Sequence, residues 1–412
     1  MSGEPRGPRA GRPRLRRAIW WTAALVGALG LAAAAVVASW AASHRAPRDS
    51  RTELRVTAPA GSVATLYRAG RTLEGATRVG TARTGVRLDA ANYFVEVAAA
   101  GTTLRYPVPL AGQMRGPDAG GSFAVTVRAA TELPPGPATG RDEIGFAFVP
   151  GGPFALGELR NPNESHFVHV TGFFMRRFEV TNAEFRRFLA DGAGYEDRAN
   201  WTEAGWQWKS TVGTASTASL SPGDTDYARF GRDDLPVVLV TWFEANAYGR
   251  WLTRAAGDDA WLFRLPTEAE WEKAARGPDG FDYGLGVQLS EGEAALYNWR
   301  KNPGVPVTTV GWRATPAQFS ANRYSLYHVS GNAAEWVQSV ARPYSRNSPY
   351  RDDDRNLDAT PGTRTTRGGS WYSATASRLQ LAYREQFQPE LRSNDLGFRI
   401  GAFRLPTRGR AR

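Results

Sequence analysis

Four histidines and no cysteine bound the chemistry open to this chain. Without a thiol, disulfides, thiolate metal sites and cysteine nucleophiles are excluded. His44, His166, His169 and His328 lie far apart, and His166 and His169 stand at i and i+3 in a strand-like run, so they point to opposite faces. A two-histidine metal site is not expected there. No serine has a histidine partner that the sequence vouches for, so a hydrolytic triad is unsupported. The remaining reactive groups are charged. Arg367, Arg384 and Arg399 sit in or beside apolar strand-like runs, and Glu268, Glu270 and Glu272 sit in RLPTEAEWEKAARG. A guanidinium in an apolar strand is costly unless paired. Upstream acids are therefore expected to meet these arginines in a structural ion-pair network, with a ligand site as the other reading.

These arginines belong to the stretch 366–403, TRGGSWYSATASRLQLAYREQFQPELRSNDLGFRIGAF. LQLAYR and GFRIGAF both alternate like strands, which predicts an inner hairpin. Three helices announce themselves by capping boxes, Thr181 with Glu184, Thr241 with Glu244 and Thr267 with Glu270. The stretch 200–231 reads as a loop rich in Trp, Ser and Thr, either an exposed recognition surface or a lid packed on the core.

RGGSW, followed by an arginine and then GFR, resembles the C-terminal signature of the formylglycine-generating enzyme, or sulfatase-modifying factor, family. EVTN, RLPTEAEWEKAAR and the run YNWRKNPGVPVTTVG…ANRYSLYHVSGNAAEWVQ resemble further family motifs, so the likeness covers about Ile144–Leu405. It implies an α+β, C-type-lectin-like fold with much irregular structure. It also implies calcium sites: Gly331, Ala333 and Glu335 for one, and Asn298, the Trp299 carbonyl and Asn302 for a second. Calcium takes six to eight oxygens, so Asn, Glu and carbonyls suit it. His328 departs from the family pattern as a poor calcium ligand, and Glu335 paired with an arginine of the RGGSW region is the alternative. Family members that make formylglycine use two cysteines to hold copper. Their positions here are Ser373 and Arg378. A hydroxyl is a poor ligand for Cu(I), so no copper is expected, and the resemblance implies a pseudoenzyme. Ligand-display relatives suggest instead a binding groove lined by Trp371, Ser373, Arg378 and Arg384, beside the loops 200–231 and 344–354. An enzyme with non-cysteine chemistry is the alternative.

The elements that must carry this domain are read from composition. A chain of 412 residues, 42% hydrophobic with 14 Trp and 19 Phe, can bury a large core. Residues 18–42 form 25 uncharged positions with Trp20, Trp21 and Trp40 near the two ends, which predicts a retained membrane helix; a cleaved signal peptide is the competing reading. The basic arm 1–17 is expected to stay in the cytoplasm, placing the later domains outside it, on a single-pass anchor in the inner membrane. Residues 52–130 read as short alternating strands, a small β-sandwich spacer with a loose resemblance to PEGA-type surface modules. Residues 131–142 form a Pro/Gly-rich linker, 143–405 the large domain and 406–412 a basic tail. Of the formal net charge of +11, +5 lies in residues 1–17 and +3 in residues 405–412. No basic face for nucleic acid is expected; an envelope protein or a glycan is the expected partner.

Overall fold

The computed structural model describes residues 51–405 except 59, 83–84, 100–101, 111–121, 127–144, 159–164, 291–292, 294–319 and 346. The basic arm, the expected membrane helix, the linker, the tail, and Asn298, Trp299 and Asn302 lie outside the described residues. Among the described residues no helix is long and apolar enough to cross a membrane. Described strands and helices intermix, giving a mixed α/β architecture.

The N-terminal strands form two sheets. One orders Val86–Leu88, Thr52–Thr57 and Ser122–Thr126; the other orders Thr77–Thr81, Val63–Arg68, Asn92–Ala99 and Thr102–Pro109. Alternation puts Leu54 and Leu88 from the first sheet against Leu66, Val95, Val97 and Val108 from the second, closing a sandwich core. The strand Thr77–Thr81 is absent from the sequence reading, because it is almost wholly exposed and carries no apolar alternation.

The larger part holds two four-stranded sheets. In one, the order is Trp261–Arg264, Gly401–Arg404, Phe173–Arg176, Phe146–Val149, all antiparallel. In the other it is Glu385–Phe387, Arg364–Arg367, Ala334–Val340, Leu396–Phe398. This corrects the expected hairpin. The strand Ala334–Val340 lies between RGGSW's strand and that of GFR, pairing antiparallel with the first and parallel with the second. LQLAYR is not a strand either: Leu379 ends a short 3₁₀ turn, Leu381 follows in a further turn, and both are fully buried.

All three capping boxes form. The backbone N–H of Thr181, Thr241 and Thr267 donates to Glu184, Glu244 and Glu270 at 2.9, 2.9 and 2.7 Å. They start the helices Asn182–Ala190, Trp242–Ala255 and Glu268–Arg276. Each box contributes about 1 kcal/mol. The stretch 200–231 contains a fourth helix, Glu203–Thr211. Thr202 caps it, accepting from the Gly205 N–H at 2.9 Å. Its Trp201 is buried against Tyr195 and donates to that residue's carbonyl at 2.9 Å, so the tryptophans here pack as a lid on the core.

Candidate functional site

The loop 368–378 is the part of the domain whose residue types matter most for chemistry, and its backbone is pinned before its side chains are considered. The Gly331 N–H donates to the Gly368 carbonyl and the Trp371 N–H to the Asn332 carbonyl, each at 2.8 Å. Gly369 has φ of 64°, and a Cβ there would stand 2.5 Å from the Arg378 carbonyl oxygen and 3.1 Å from Ser373 Oγ. Only glycine fits this close approach, which packs the Ser373 hydroxyl and the Arg378 backbone carbonyl around one residue.

Each of those two side chains already has a partner. Ser373 is buried and its Oγ accepts from the Ser370 N–H at 2.9 Å. Arg378 is about half exposed and donates from Nη1 to Glu385 Oε1 at 2.9 Å, while the Tyr383 hydroxyl donates to the same oxygen at 3.0 Å. Burial first, then Glu385, raises the Tyr383 pKa. No thiol is present and one of the two positions holds a fixed cation, so this donor set does not fit copper. Trp371 is buried against Phe230, Val238 and Ala333. Tyr372 beside it is 50% exposed, an apolar surface group that sequence reasoning missed because alternation in so short a loop carries no signal.

Arg384 has different partners from Arg378. It forks onto Glu268, with Nη2 to Oε2 at 2.8 Å and Nε to Oε1, and stacks over the Tyr344 ring at 4.4 Å. Its pairing with Glu268 is structural, and its partly exposed guanidinium lies beside the loop 344–354. Arg367 joins the same network, contacting Glu272 and, at 3.4 Å, Glu268. Burial alone would raise the Glu272 pKa, but Arg276 and Arg367 outweigh it and hold the carboxylate charged. Burial would discharge Arg367, and Glu272 with Glu268 outweighs that too. The expected pairing of arginines with upstream acids is what the fold contains.

Glu335 lies in the fully buried strand Ala334–Val340. Its Oε1 accepts from Arg399 Nη2 at 2.6 Å, and its Oε2 from Arg399 Nε and Trp271 Nε1 at 2.7 Å each. Burial pushes the Glu335 carboxyl up against the pull of Arg399, and the Arg399 pKa is raised by Glu335 in spite of its own burial. A guanidinium this close repels a second cation, so Gly331, Ala333 and Glu335 do not fit calcium. The alternative pairing of Glu335 with an arginine holds instead, through Arg399.

Next to this pair Glu179 is buried, with Asn332 Nδ2 donating to Oε1 at 2.7 Å and His328 Nδ1 at 3.2 Å from Oε2. Burial would raise Glu179, but His328 and Arg399 more than offset it and hold it below the usual range. His328 and Asn332 both have positive φ, 58° and 67°. Such backbone is uncommon outside glycine, and here both residues face the same carboxylate. His328 is thus a structural group, as is His166, whose Nε2 accepts from the Tyr350 N–H at 2.8 Å. His169 points out from the other face of its strand, as its spacing predicts. Among the described residues no group of three or more His, Cys, Asp or Glu side chains is placed to hold a metal ion.

A family model described as a sulfatase-modifying factor enzyme 1-like domain matches residues 131–402. Hercynine oxygenase of Mycolicibacterium smegmatis is 34% identical over 276 residues, 61% of this chain and 60% of that protein. Formylglycine-generating enzyme of Streptomyces coelicolor is 30% identical over 304 residues, 64% of this chain and 91% of that protein. The chain thus spans about 60% of the length of the hercynine oxygenase it matches. Among solved structures, Treponema denticola variable protein 1 superposes with a TM-score of 0.45 at 22% identity, over 64% of this chain and 96% of that one. PvdO from Pseudomonas aeruginosa does so with a TM-score of 0.45 at 20% identity, over 64% and 96%.

Proposed function

The chain belongs to the sulfatase-modifying factor enzyme 1-like family, and on that premise we propose that its family domain binds rather than catalyses, as a recognition or scaffolding body of the cell envelope. One observation carries the reading. Ser373 and Arg378 are both held by intramolecular partners, the first by the Ser370 amide and the second by Glu385. What the loop offers to the outside is Tyr372 and the Arg378–Glu385–Tyr383 cluster, a recognition surface rather than a reactive centre. In this proposal residues 18–42 anchor the chain in the inner membrane, the described domains stand outside the cytoplasm, and the partner is an envelope protein or a glycan. Any calcium is held through Asn298, the Trp299 carbonyl and Asn302, since Glu335 is committed to Arg399.

The relatives named hercynine oxygenase and formylglycine-generating enzyme favour a second reading, an enzyme of the same family using other chemistry. The test is oxygen uptake by the detergent-solubilised full chain, supplied with Cu(I) and a cysteine peptide or with Fe(II) and hercynine. Turnover in either mixture removes the binding-only proposal. In parallel, crosslinking in the native envelope separates the partners: one recovered protein points to assembly, recovered glycan to lectin-like recognition.

A further inference from the structure

A cleft of about 320 Å³ opens between the sandwich strand Thr102–Pro109 and the large domain. Arg105, Arg177 and Arg323 line it, with Phe146 and Phe148 as an apolar wall. Among the described residues that line it there is no carboxylate. Two of the arginines are partly neutralised from outside the cleft. Arg105 Nε meets Glu96 at 2.9 Å, and Arg323 Nε meets Asp279 at 2.8 Å. Arg177 differs. Its Nε donates to the Ser325 carbonyl at 3.2 Å, its Nη2 stands 3.5 Å from the Tyr327 hydroxyl, and its guanidinium lies over the Tyr327 ring at 5.5 Å. Among the described residues it has only these neutral partners, and it is half-buried. A guanidinium has five N–H donors in a planar fork that matches carboxylate, phosphate and sulfate. Three such groups line an open cleft at the lower end of ligand-site volumes, beside an apolar wall, and so combine charged and apolar contacts in one place.

We propose that this cleft binds an oxyanion group carried on a small molecule with an apolar or aromatic face, Arg177 supplying the uncompensated charge and Phe146 and Phe148 the surface for the body. The cleft is also where the two parts of the chain are joined. The Tyr324 hydroxyl donates to the Arg105 carbonyl at 3.0 Å, Arg105 Nη1 reaches the Arg323 carbonyl at 3.4 Å, and Arg323 donates to the Leu73 carbonyl. A ligand there would contact both parts and stiffen their junction, independently of the loop 368–378.

The test is calorimetric titration of the detergent-solubilised full chain with phenyl phosphate, phenyl sulfate and benzoate, at ionic strength held constant with sodium chloride. Saturable binding of at least one probe is expected, and the tightest of the three names the oxyanion. Arg177→Gln is expected to weaken that binding by about tenfold or more, the usual consequence of losing a charged hydrogen bond. Arg55→Gln, a solvent-exposed arginine of the sandwich that is not among the cleft lining, should leave it unchanged. If Arg177→Gln does not fold, Arg105→Gln on the sandwich strand is the substitute, and a smaller loss in the same direction is expected because Glu96 already offsets part of its charge. No saturable binding of any probe, or equal binding by the arginine variant and the parent, overturns the proposal.

Discussion

The Arg399 guanidinium grips the Glu335 carboxylate with two parallel hydrogen bonds, at 2.6 and 2.7 Å, and both side chains are fully buried. Glu335 sits on the strand Ala334–Val340, and Arg399 directly follows the strand Leu396–Phe398 that runs parallel to it. The pair therefore acts as a cross-strand bolt in the centre of the domain. Removing one half leaves the other charge stranded, which costs about 3–5 kcal/mol. Glu335→Gln should lower stability in urea denaturation by that order. The double replacement Glu335→Leu with Arg399→Leu should cost less than either single change, because no charge is left uncompensated.

The loop 368–378 makes a sharper prediction about copper. The Ser373 hydroxyl and the Arg378 backbone carbonyl both lie against Gly369. The parent chain should take up no Cu(I) above background in a competition assay with a chromogenic chelator. Ser373→Cys with Arg378→Cys supplies two soft ligands on the same loop and should bind about one equivalent. Equal uptake by parent and variant would show that copper, if bound, sits elsewhere.

Gly369→Ala tests the loop itself. Its φ of 64° is unfavourable for any side chain, and the new Cβ would stand 2.5 Å from the Arg378 carbonyl oxygen. The expected loss is at least about 1 kcal/mol by chemical denaturation. Proteolysis should become faster at 372–378 before it does in the sandwich.

Lys273 gives a pH dependence with a definite sign. It is almost wholly buried on the helix Glu268–Arg276, and its Nζ donates to the Gly152 carbonyl at 2.8 Å. Burial lowers its pKa from 10.5 to about 7. Between those values the unfolded chain binds a proton that the folded chain does not, so this group makes stability rise with pH across the window. Below pH 7 the full cost of a buried ammonium is present. Lys273→Met removes the dependence: its melting temperature should exceed the parent's at pH 6, and the gap should shrink steadily toward pH 10. A constant gap across that range would place the titration elsewhere.

Local signals were legible in the sequence and long-range ones were not. The three capping boxes lie within four residues each and formed as their spacing requires. The helix Glu203–Thr211 was missed because its N3 position is Gly205, which cannot return the cap, and that glycine is buried against Trp201 and Phe243. The central strand Ala334–Val340 was missed for a different reason: all seven residues are buried, Glu335, Gln338 and Ser339 among them, so no alternation marks it. That the arginines need acids followed from the cost of a buried charge. Which acid each found did not, since Arg367 and Glu272 stand 95 residues apart. The same limit hid the partner of Arg384, Glu268, which lies 116 residues away.

The strand Gly401–Arg404 is the last described strand of the chain, yet it lies inside its sheet, hydrogen-bonded on one side to Trp261–Arg264 and on the other to Phe173–Arg176. Until it arrives, both of those neighbours present raw, unpaired edges. A nascent chain halted short of residue 401 is accordingly an adhesive object, open to strand exchange with its copies, and the domain closes only when translation has delivered nearly all of it.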